Sequence, residues 1–361
     1  MNGPHIDPAP PRKFKRIRRG VLLALIASLA CNLVALFWYL SLPKSAPDET
    51  KLIGDERATD KIAVVRLTGT ITDGTIGWTV KQLERASTDP HVKAIIFRVD
   101  SPGGTIMASD ELYKCLVDAR DNTGRRWMGS SAKPLITSMG TMAASGGYYT
   151  AVAGHPILAE RTTITGSIGV FAALPNAAEF GAKHGIKVEL IKAGGIKASG
   201  SMFHTMTPSE RQPWQDLVDD AYQQFLGVIT GERPELTADK LANQSVISKD
   251  VPKRDDKGNV VEGMVKYTRV RADGGTYTAT QAKSFGLIDE IGDLPEAIRI
   301  AAEKAGLTKF KAVTYERPKS WSEQLTGFDL GVSQPDWRLL STPRLWYLVP
   351  NAEMVLLEKT N

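Results

Sequence analysis

Ser145 lies in a stretch, Pro134-Leu-Ile-Thr-Ser-Met-Gly-Thr-Met-Ala-Ala-Ser-Gly-Gly-Tyr-Tyr-Thr-Ala-Val-Ala153, that reads as a buried strand turning sharply into a helix. The short apolar run between Pro134 and Gly140 suits an interior strand, and the small residues after it suit a tightly packed helix start. A serine at such a junction has helix N-terminal N–H groups beside it, which favour a developing negative charge. The stretch reads equally as a Gly/Ala/Ser-rich turn that lets a helix approach a sheet. It is not the Gly-x-Ser-x-Gly elbow of another hydrolase class.

Three glycine-bearing loops fall at predicted strand ends: Asp100-Ser-Pro-Gly-Gly-Thr105, Ala144-Ser-Gly-Gly147 and Thr165-Gly-Ser-Ile-Gly169. Pro102-Gly-Gly leaves backbone N–H groups unobstructed, as an oxyanion hole for acyl transfer requires, and Gly146 offers another N–H next to Ser145. A phosphate cradle is the rival for residues 101–105, but the downstream Gly-Lys-Ser/Thr of a nucleotide site is missing.

A nucleophilic serine needs a base. His5 precedes an apolar span, and His91, His155 and His184 fall at element ends where surface positions are expected. A lysine serves instead when burial or a nearby cation lowers its pKa. Lys197 is the candidate, in Gly194-Gly-Ile-Lys-Ala-Ser-Gly-Ser-Met-Phe-His204, a Gly/Ser-rich loop before a long helix. A solvated lysine is the competing reading, and Lys192 the competing residue.

The elements that must position these groups alternate between strand and helix. Strands are predicted over 62–69, 92–99, 135–139, 168–174, 187–191 and 286–292, and helices over 80–85, 109–119, 176–184, 208–229, 281–285 and 294–305. The order implies a largely parallel α/β sheet with right-handed crossovers, which gathers loops at one edge. Helix 109–119 has a cap-like Ser109 and places Cys115 in the core. Helix 208–229 opens on Thr207-Pro-Ser-Glu and turns Trp214, Leu217, Val218, Ala221, Phe225 and Val228 to one face, with Trp214 expected in the core. Residues 249–275 form a charged surface hairpin with Lys253-Arg-Asp-Asp-Lys-Gly-Asn259 at its tip.

Before this sheet, no charged residue occurs from Gly20 to Pro43, and a helix of roughly 22 residues at about 1.5 Å rise covers the ~30 Å hydrocarbon layer. Arg12, Lys13, Lys15, Arg16, Arg18 and Arg19 precede the span, with Trp38 and Tyr39 at its far end. The positive-inside rule puts the N-terminus in the cytoplasm and the bulk of the chain on the outer side of the membrane. A cleaved signal peptide, with Ser28-Leu-Ala-Cys31 as a lipoprotein-like site, is the competing reading, but apolar residues continue to Leu42. Expected boundaries are a basic tail over 1–20, an anchor over 21–42, a polar linker over 43–60, a catalytic domain over 61–310 and an aromatic extension over 311–361 carrying Trp321, Trp337, Trp346 and Tyr347.

The chain has 45 Lys and Arg against 40 Asp and Glu, and six of those cations and one acid lie in residues 1–19, leaving 39 of each. A neutral folded part argues against a nucleic-acid partner. Cys31 and Cys115 are the two cysteines, so no disulfide framework or cysteine metal site is expected.

Five motifs in order make the chain resemble the bacterial signal peptide peptidase A family over about residues 61–306. They are Asp100-Ser-Pro-Gly-Gly, Met142-Ala-Ala-Ser-Gly-Gly-Tyr-Tyr149, Thr165-Gly-Ser-Ile-Gly169, the Lys197 loop running into Met206-Thr-Pro-Ser-Glu-Arg211, and Gln281-Ala with Gly286-Leu-Ile-Asp-Glu-Ile-Gly292. The resemblance implies an α/β fold like those of the caseinolytic protease and crotonase superfamily, preceded by one N-terminal transmembrane helix. It implies that Ser145 is the nucleophile, Lys197 the general base, Ser167 a hydroxyl that orients the lysine, and Gly103 and Gly146 the oxyanion donors. No cofactor or metal is implied. Implied partners are peptide substrates such as remnant signal peptides, membrane lipid around the anchor, and further copies in a dome-like ring that sometimes pairs Ser and Lys across protomers. Rival readings are a membrane quality-control protease and an inactive ring scaffold of the same fold.

Some positions depart from the family pattern. Around Lys197 the family usually shows Lys-Asp and then Gly-Ser-Pro-Phe-Arg; here Ala198, Met202 and His204 replace the acid, the proline and the arginine. The charged hairpin is read as an insertion.

Overall fold

Alternation along Ile62-Ala-Val-Val-Arg-Leu67 divides the core between two faces of one sheet. Ile62 and Val64 join Ala94, Ile96, Ile136 and Leu158 against Ala297, Ile298, Ala301 and Ala302 of a covering helix. Ala63, Val65 and Leu67 join Ile95, Phe97 and Val99 on the other face, beneath Leu83, Leu112 and Leu116. Each fully buried aliphatic side chain of this kind contributes about 1.5–3 kcal/mol. Burial on both faces is what a parallel sheet flanked by helices requires.

The computed structural model describes residues 13–41, 47–124, 131–317 and 345–348, with side chains over 21–36, 47–124 and 131–317. In chain order the strands are β1 (Asp48–Gly54), β2 (Lys61–Thr68), β3 (Val92–Ser101), β4 (Gly103–Thr105), β5 (Leu135–Ala144), β6 (Ile157–Ala159), β7 (Ile164–Gly166), β8 (Phe171–Ala172), β9 (Ser245–Arg254), β10 (Val260–Val270), β11 (Thr276–Thr278), β12 (Glu290–Ile291), β13 (Lys311–Glu316) and β14 (Leu345–Leu348). The helices are α1 (Lys13–Ser41), α2 (Asp73–Thr88), α3 (Ile106–Asp121), α4 (Gly146–Ala151), α5 (Ala178–Lys183), α6 (Pro208–Glu232), α7 (Ala238–Ala242), α8 (Ala279–Ser284) and α9 (Leu294–Lys304).

The main sheet runs β1-β13-β2-β3-β5-β6-β12, with β7 also on β5 and β11 on β7. Only the β1/β13 and β7/β11 pairs are antiparallel. The fold is therefore mixed α/β with a mostly parallel sheet, as the strand and helix alternation predicts. Residues 48–54, read as linker, form an edge strand on β13, and residues 311–316, read as the start of the extension, sit between β1 and β2.

Other elements differ from expectation. Residues 187–191 are not a strand; they are exposed, with Ile191 fully so, and no edge pairs with them among the described residues. The strand expected over 168–174 shortens to β8, since Ser167 turns at φ 50° and Gly169 packs against Gly274. The strand expected over 286–292 shortens to β12. Helix α3 starts at Ile106, because Thr105, not Ser109, caps it by accepting from Ala108 N at 3.4 Å, while Ser109 Oγ donates back to Thr105 O at 2.9 Å. Cys115 packs against the core as expected. The expected hairpin forms from β9 and β10, with Asp255 Oδ1 accepting Lys257 N and Asn259 N in its tip.

Helix α1 runs over the expected anchor, and its described side chains, residues 21–36, are exposed. Among the described residues no helix is long and apolar enough to cross a membrane. The basic residue Arg12 and the aromatic residues Trp321 and Trp337 lie outside the described residues, as do the side chains of Trp38, Tyr39, Trp346 and Tyr347.

Candidate active site

Ser145 follows β5 directly and precedes the first residue of α4 with φ 53° and ψ −117°. That is a strained conformation for a residue with a Cβ, at roughly 1–3 kcal/mol. The turn is held from both sides: Ser145 N donates to Gly166 O at 2.8 Å, and Ser145 O accepts from Tyr149 N at 2.8 Å. Ser145 is 1% exposed, and its Oγ has no hydrogen-bond partner among the described residues. Burying an unpaired hydroxyl costs about 1–3 kcal/mol, so the site holds Ser145 at a cost that the fold elsewhere offsets. Helix α4 is anchored by Tyr148, whose hydroxyl donates to Leu287 O at 2.8 Å, and by Tyr149, whose hydroxyl donates to Asp110 Oδ1 at 2.9 Å.

Register explains why the three glycine loops meet. Strand β5 pairs Ala143 with Ser101 of β3 and Ala144 with Gly166 of β7, so all three loops leave the sheet at one edge. Between β3 and β5 the register shifts after Val99/Met139. Asp100 fills that irregularity: its Oδ1 accepts Met142 N at 3.0 Å, and Gly140 lies so close that a Cβ there would stand 3.0 Å from the carboxyl. Thr163 and Thr165 complete it by donating to Gly140 O and Ala143 O, each at 2.6 Å.

Gly103 turns at φ 103°, and its N–H donates to Ser101 Oγ at 3.1 Å. Ser101 thus competes for a donor expected to face an oxyanion. Gly104 must be glycine, since a Cβ would stand 1.8 Å from Ile71 O. Gly146 opens α4, where a helix leaves its N–H groups without intrahelical acceptors. Ser167 is 3% exposed at φ 50°, with its N–H on Gly275 O at 2.8 Å. Ser145, Gly146, Gly103 and Ser167 therefore cluster at the ends of β3, β5 and β7.

Lys197 lies on a separate loop, ahead of α6. Its side chain is exposed, its N–H donates to Gly194 O at 3.3 Å, and among the described residues no hydrogen bond links it to Ser145 or Ser167. The loop that carries it is pinned to the start of α6. Glu210, 3% exposed, accepts from Lys192 Nζ at 3.2 Å, from Thr207 N at 3.0 Å and lies 2.8 Å from His204 Nε2. The Thr207 N–H, then His204 and Lys192, hold the Glu210 carboxyl down at about 2 against its burial. Ser199 Oγ donates to Glu210 O at 2.8 Å and accepts from Trp214 Nε1 at 2.5 Å. Lys192, the competing candidate base, is thus occupied by Glu210 and Gly195 O. His204 also faces Glu210. Trp214, expected in the core, instead borders a cavity of about 520 Å³ with Phe171, Leu174, Met206, Val218 and Arg211.

Asp100 as a brace and Glu210 as the loop's anchor are roles that the motifs alone do not assign. Thr207-x-x-Glu210 carried the signal for Glu210, since a capping-box acid is already committed to the helix start. Asp100 had no such local signal, because its partner Met142 lies on another strand.

Residues 128–254 match the family model described as Peptidase family S49. A putative protease of Synechocystis is 32% identical over 271 residues, covering 74% of this chain and 84% of that protein. The chain belongs to peptidase family S49. This is the SppA family of serine peptidases, and other members agree: Protease 4 of Salmonella typhi is 30% identical over 71% of this chain, and the chloroplastic serine protease SPPA of Arabidopsis thaliana is 32% identical over 71%. The matches span only 36% and 34% of those two longer proteins. Within the S49 match fall Ser145, Gly146, Ser167 and Lys197, whereas Gly103 lies before it.

Proposed function

We propose that this S49 chain is a membrane-anchored serine endopeptidase that degrades remnant signal peptides and other small unfolded or membrane-released peptides. The observation that carries the reading is Ser145: a strained, buried serine whose hydroxyl has no partner among the described residues, at the edge where three glycine loops converge. Ser145 Oγ attacks the scissile carbonyl while Lys197 Nζ takes its proton; Gly103 and Gly146 N–H groups receive the oxyanion once Gly103 exchanges Ser101 Oγ for it. The lysine proton goes to the leaving amine, and water then hydrolyses the acyl-enzyme with Lys197 again accepting a proton. Ser167 orients the lysine.

Lys197 reaches Ser145 from a neighbouring protomer of a ring. Its exposure and the lack of a Ser145 Oγ partner among the described residues support that pairing. The uncharged stretch from Gly20 to Pro43 within and just after α1, behind a cationic cluster, supports an inner-membrane anchor with the N-terminus in the cytoplasm and the catalytic domain outside. The cavity beside β8 and the Lys197 loop would receive an apolar substrate side chain. Hydrolysis of an unfolded test peptide tests the reading. Ser145→Ala and Lys197→Ala should each lower kcat by roughly 10³-fold or more, and activity that survives both substitutions overturns it.

A further inference from the structure

The turn that carries Ser167 rests on the loop that follows β10. Ser167 N donates to Gly275 O at 2.8 Å, and Gly274 N donates back to Ile168 O at 3.0 Å. Gly169 and Gly274 lie so close that a Cβ on the former would stand 2.9 Å from the Cα of the latter. Ser167 holds φ 50°, which a serine keeps only where its surroundings impose it. Residues 273–276 are therefore the support of that turn, and a chain with two adjacent glycines has little stiffness of its own. Arg269, near the end of β10, supplies the stiffness. Its Nε donates to Asp273 Oδ2 at 2.7 Å, its Nη2 to Asp273 Oδ1 at 2.6 Å and its Nη1 to Thr276 O at 3.1 Å. Asp273 Oδ1 also accepts Gly275 N at 2.9 Å. The guanidinium lies over the Tyr277 ring, 4.3 Å from its centroid, and occupies the space beside Gly275, where a Cβ would collide with Nη2. The register between β9 and β10 shifts between Arg269 and Val270, an irregularity of the kind that re-aims a side chain. One planar fork thus ties both ends of the loop together.

The geometry points to Arg269 as a positioning residue of the active site, one that acts on the reaction through Gly275 and the Ser167 turn. The inference rests on the peptidase reading above, in which Ser167 orients Lys197. A hydroxyl that steers a general base must keep its direction, since a misplacement of about 1 Å costs up to roughly 10² in rate. Without the fork, Thr276 O loses a donor and Asp273 loses its charged partner, so the loop that presents Gly275 O shifts and the Ser167 N–H loses a fixed acceptor. Arginine suits this task where lysine does not. Its planar group reaches a carboxylate with two N–H bonds and a carbonyl with a third while its face stacks on an aromatic ring, directions that an ammonium does not hold. Because Arg269 acts on the base through the loop, its loss weakens the chemical step and leaves peptide binding in place. The clamp also ties the base of the β9–β10 hairpin to the Ser167 turn.

Two measurements on the full chain test it. Arg269→Ala should speed amide exchange at Ser167 by about tenfold or more, while the amides of β2 and β3 exchange as before. On an unfolded peptide the same substitution should lower kcat about tenfold and change KM by less than about twofold. The comparison that separates positioning from general loosening is made in the Ser167→Ala chain. There Arg269→Ala should lower kcat by less than about twofold, because both substitutions remove the same orientation of the base. If Arg269→Ala does not fold, the same comparisons are made with Arg269→Lys, which keeps the charge and the alkyl stem but not the three directed bonds. An equal loss of kcat in the Ser167 and Ser167→Ala chains overturns the inference, as does unchanged exchange at Ser167 or a loss confined to KM. Exchange does not depend on turnover, so a chain that shows the change at Ser167 yet hydrolyses nothing in its unmodified form refutes the peptidase reading and leaves the clamp standing.

Discussion

The backbone N–H of Ser145 donates to the carbonyl of Gly166 at 2.8 Å, so the strand that leads to Ser167 also fixes the turn that carries the nucleophile. Two serines at positive φ, 53° and 50°, are thereby locked into one frame. Neither angle is one a serine adopts without tertiary support.

Gly166 is the hinge of that frame. It lies at φ +83°, and a Cβ there would stand 2.7 Å from the Tyr277 ring. Gly166→Ala should cost about 1–3 kcal/mol in stability and lower kcat by at least about tenfold, because the Ser145 N–H loses its acceptor's position. Thermal unfolding and peptide hydrolysis measure the two effects. A stable, fully active variant would show that β7 does not position Ser145.

Asp100 braces the bulge before Ser145 through Met142 N. Asp100→Ala leaves that N–H without its acceptor and should destabilise the fold by about 1–3 kcal/mol. Asp100→Asn keeps an oxygen in place and should recover most of the loss. Chemical denaturation of the three proteins checks the order; equal loss in both variants would mean that charge, not the acceptor, is what matters.

How much of this was legible in the sequence follows from how far each partner lies along the chain. The turn at Ser145, the loops at 100–105 and 165–169, and the cap at Thr207 announce themselves through adjacent glycines and prolines, and all are found where expected. β1 and β13 were not legible, because each is a strand only by virtue of the other, and more than 250 residues separate Asp48 from its partner Glu316. Residues 187–191 show the converse: their apolar alternation resembles a strand, yet no edge pairs with them among the described residues and they stay exposed. β14 was hidden for the same reason, since its pairing with β4 joins residues 103–105 to 346–348. Lys197 was legible as a residue type, whereas the anchoring of its loop on Glu210 through Lys192, Ser199 and His204 was not.

Glu210 carries a pH dependence. Its folded pKa is lowered to about 2 from the ordinary 4.5, so its contribution to stability is complete above about pH 4.5 and is lost as the pH falls toward 2. Glu210→Gln removes that contribution. The melting temperature of the unmodified chain should therefore fall more steeply than the variant's between pH 4.5 and 2, and the two curves should converge at the acid end. Parallel curves over that interval would show that Glu210 is not held by Thr207, His204 and Lys192 in solution.

The same substitution frees one end of the loop that carries Lys197. At pH 7, Glu210→Gln should lower kcat more than it raises KM, since a general base out of place weakens the chemical step rather than peptide binding. Steady-state kinetics on an unfolded peptide separate the two. An effect confined to KM would assign the loop to substrate binding instead.

The most direct test of Ser145 and Lys197 as one reaction centre mixes Ser145→Ala chains with Lys197→Ala chains and lets them reassemble. Each variant alone should hydrolyse no unfolded peptide, whereas the mixture should regain a measurable fraction of activity, because some interfaces pair an intact Ser145 with an intact Lys197 from its neighbour. Hydrolysis by the Ser145→Ala chain alone contradicts the nucleophile, and a reassembled mixture that stays inactive contradicts the pairing across protomers.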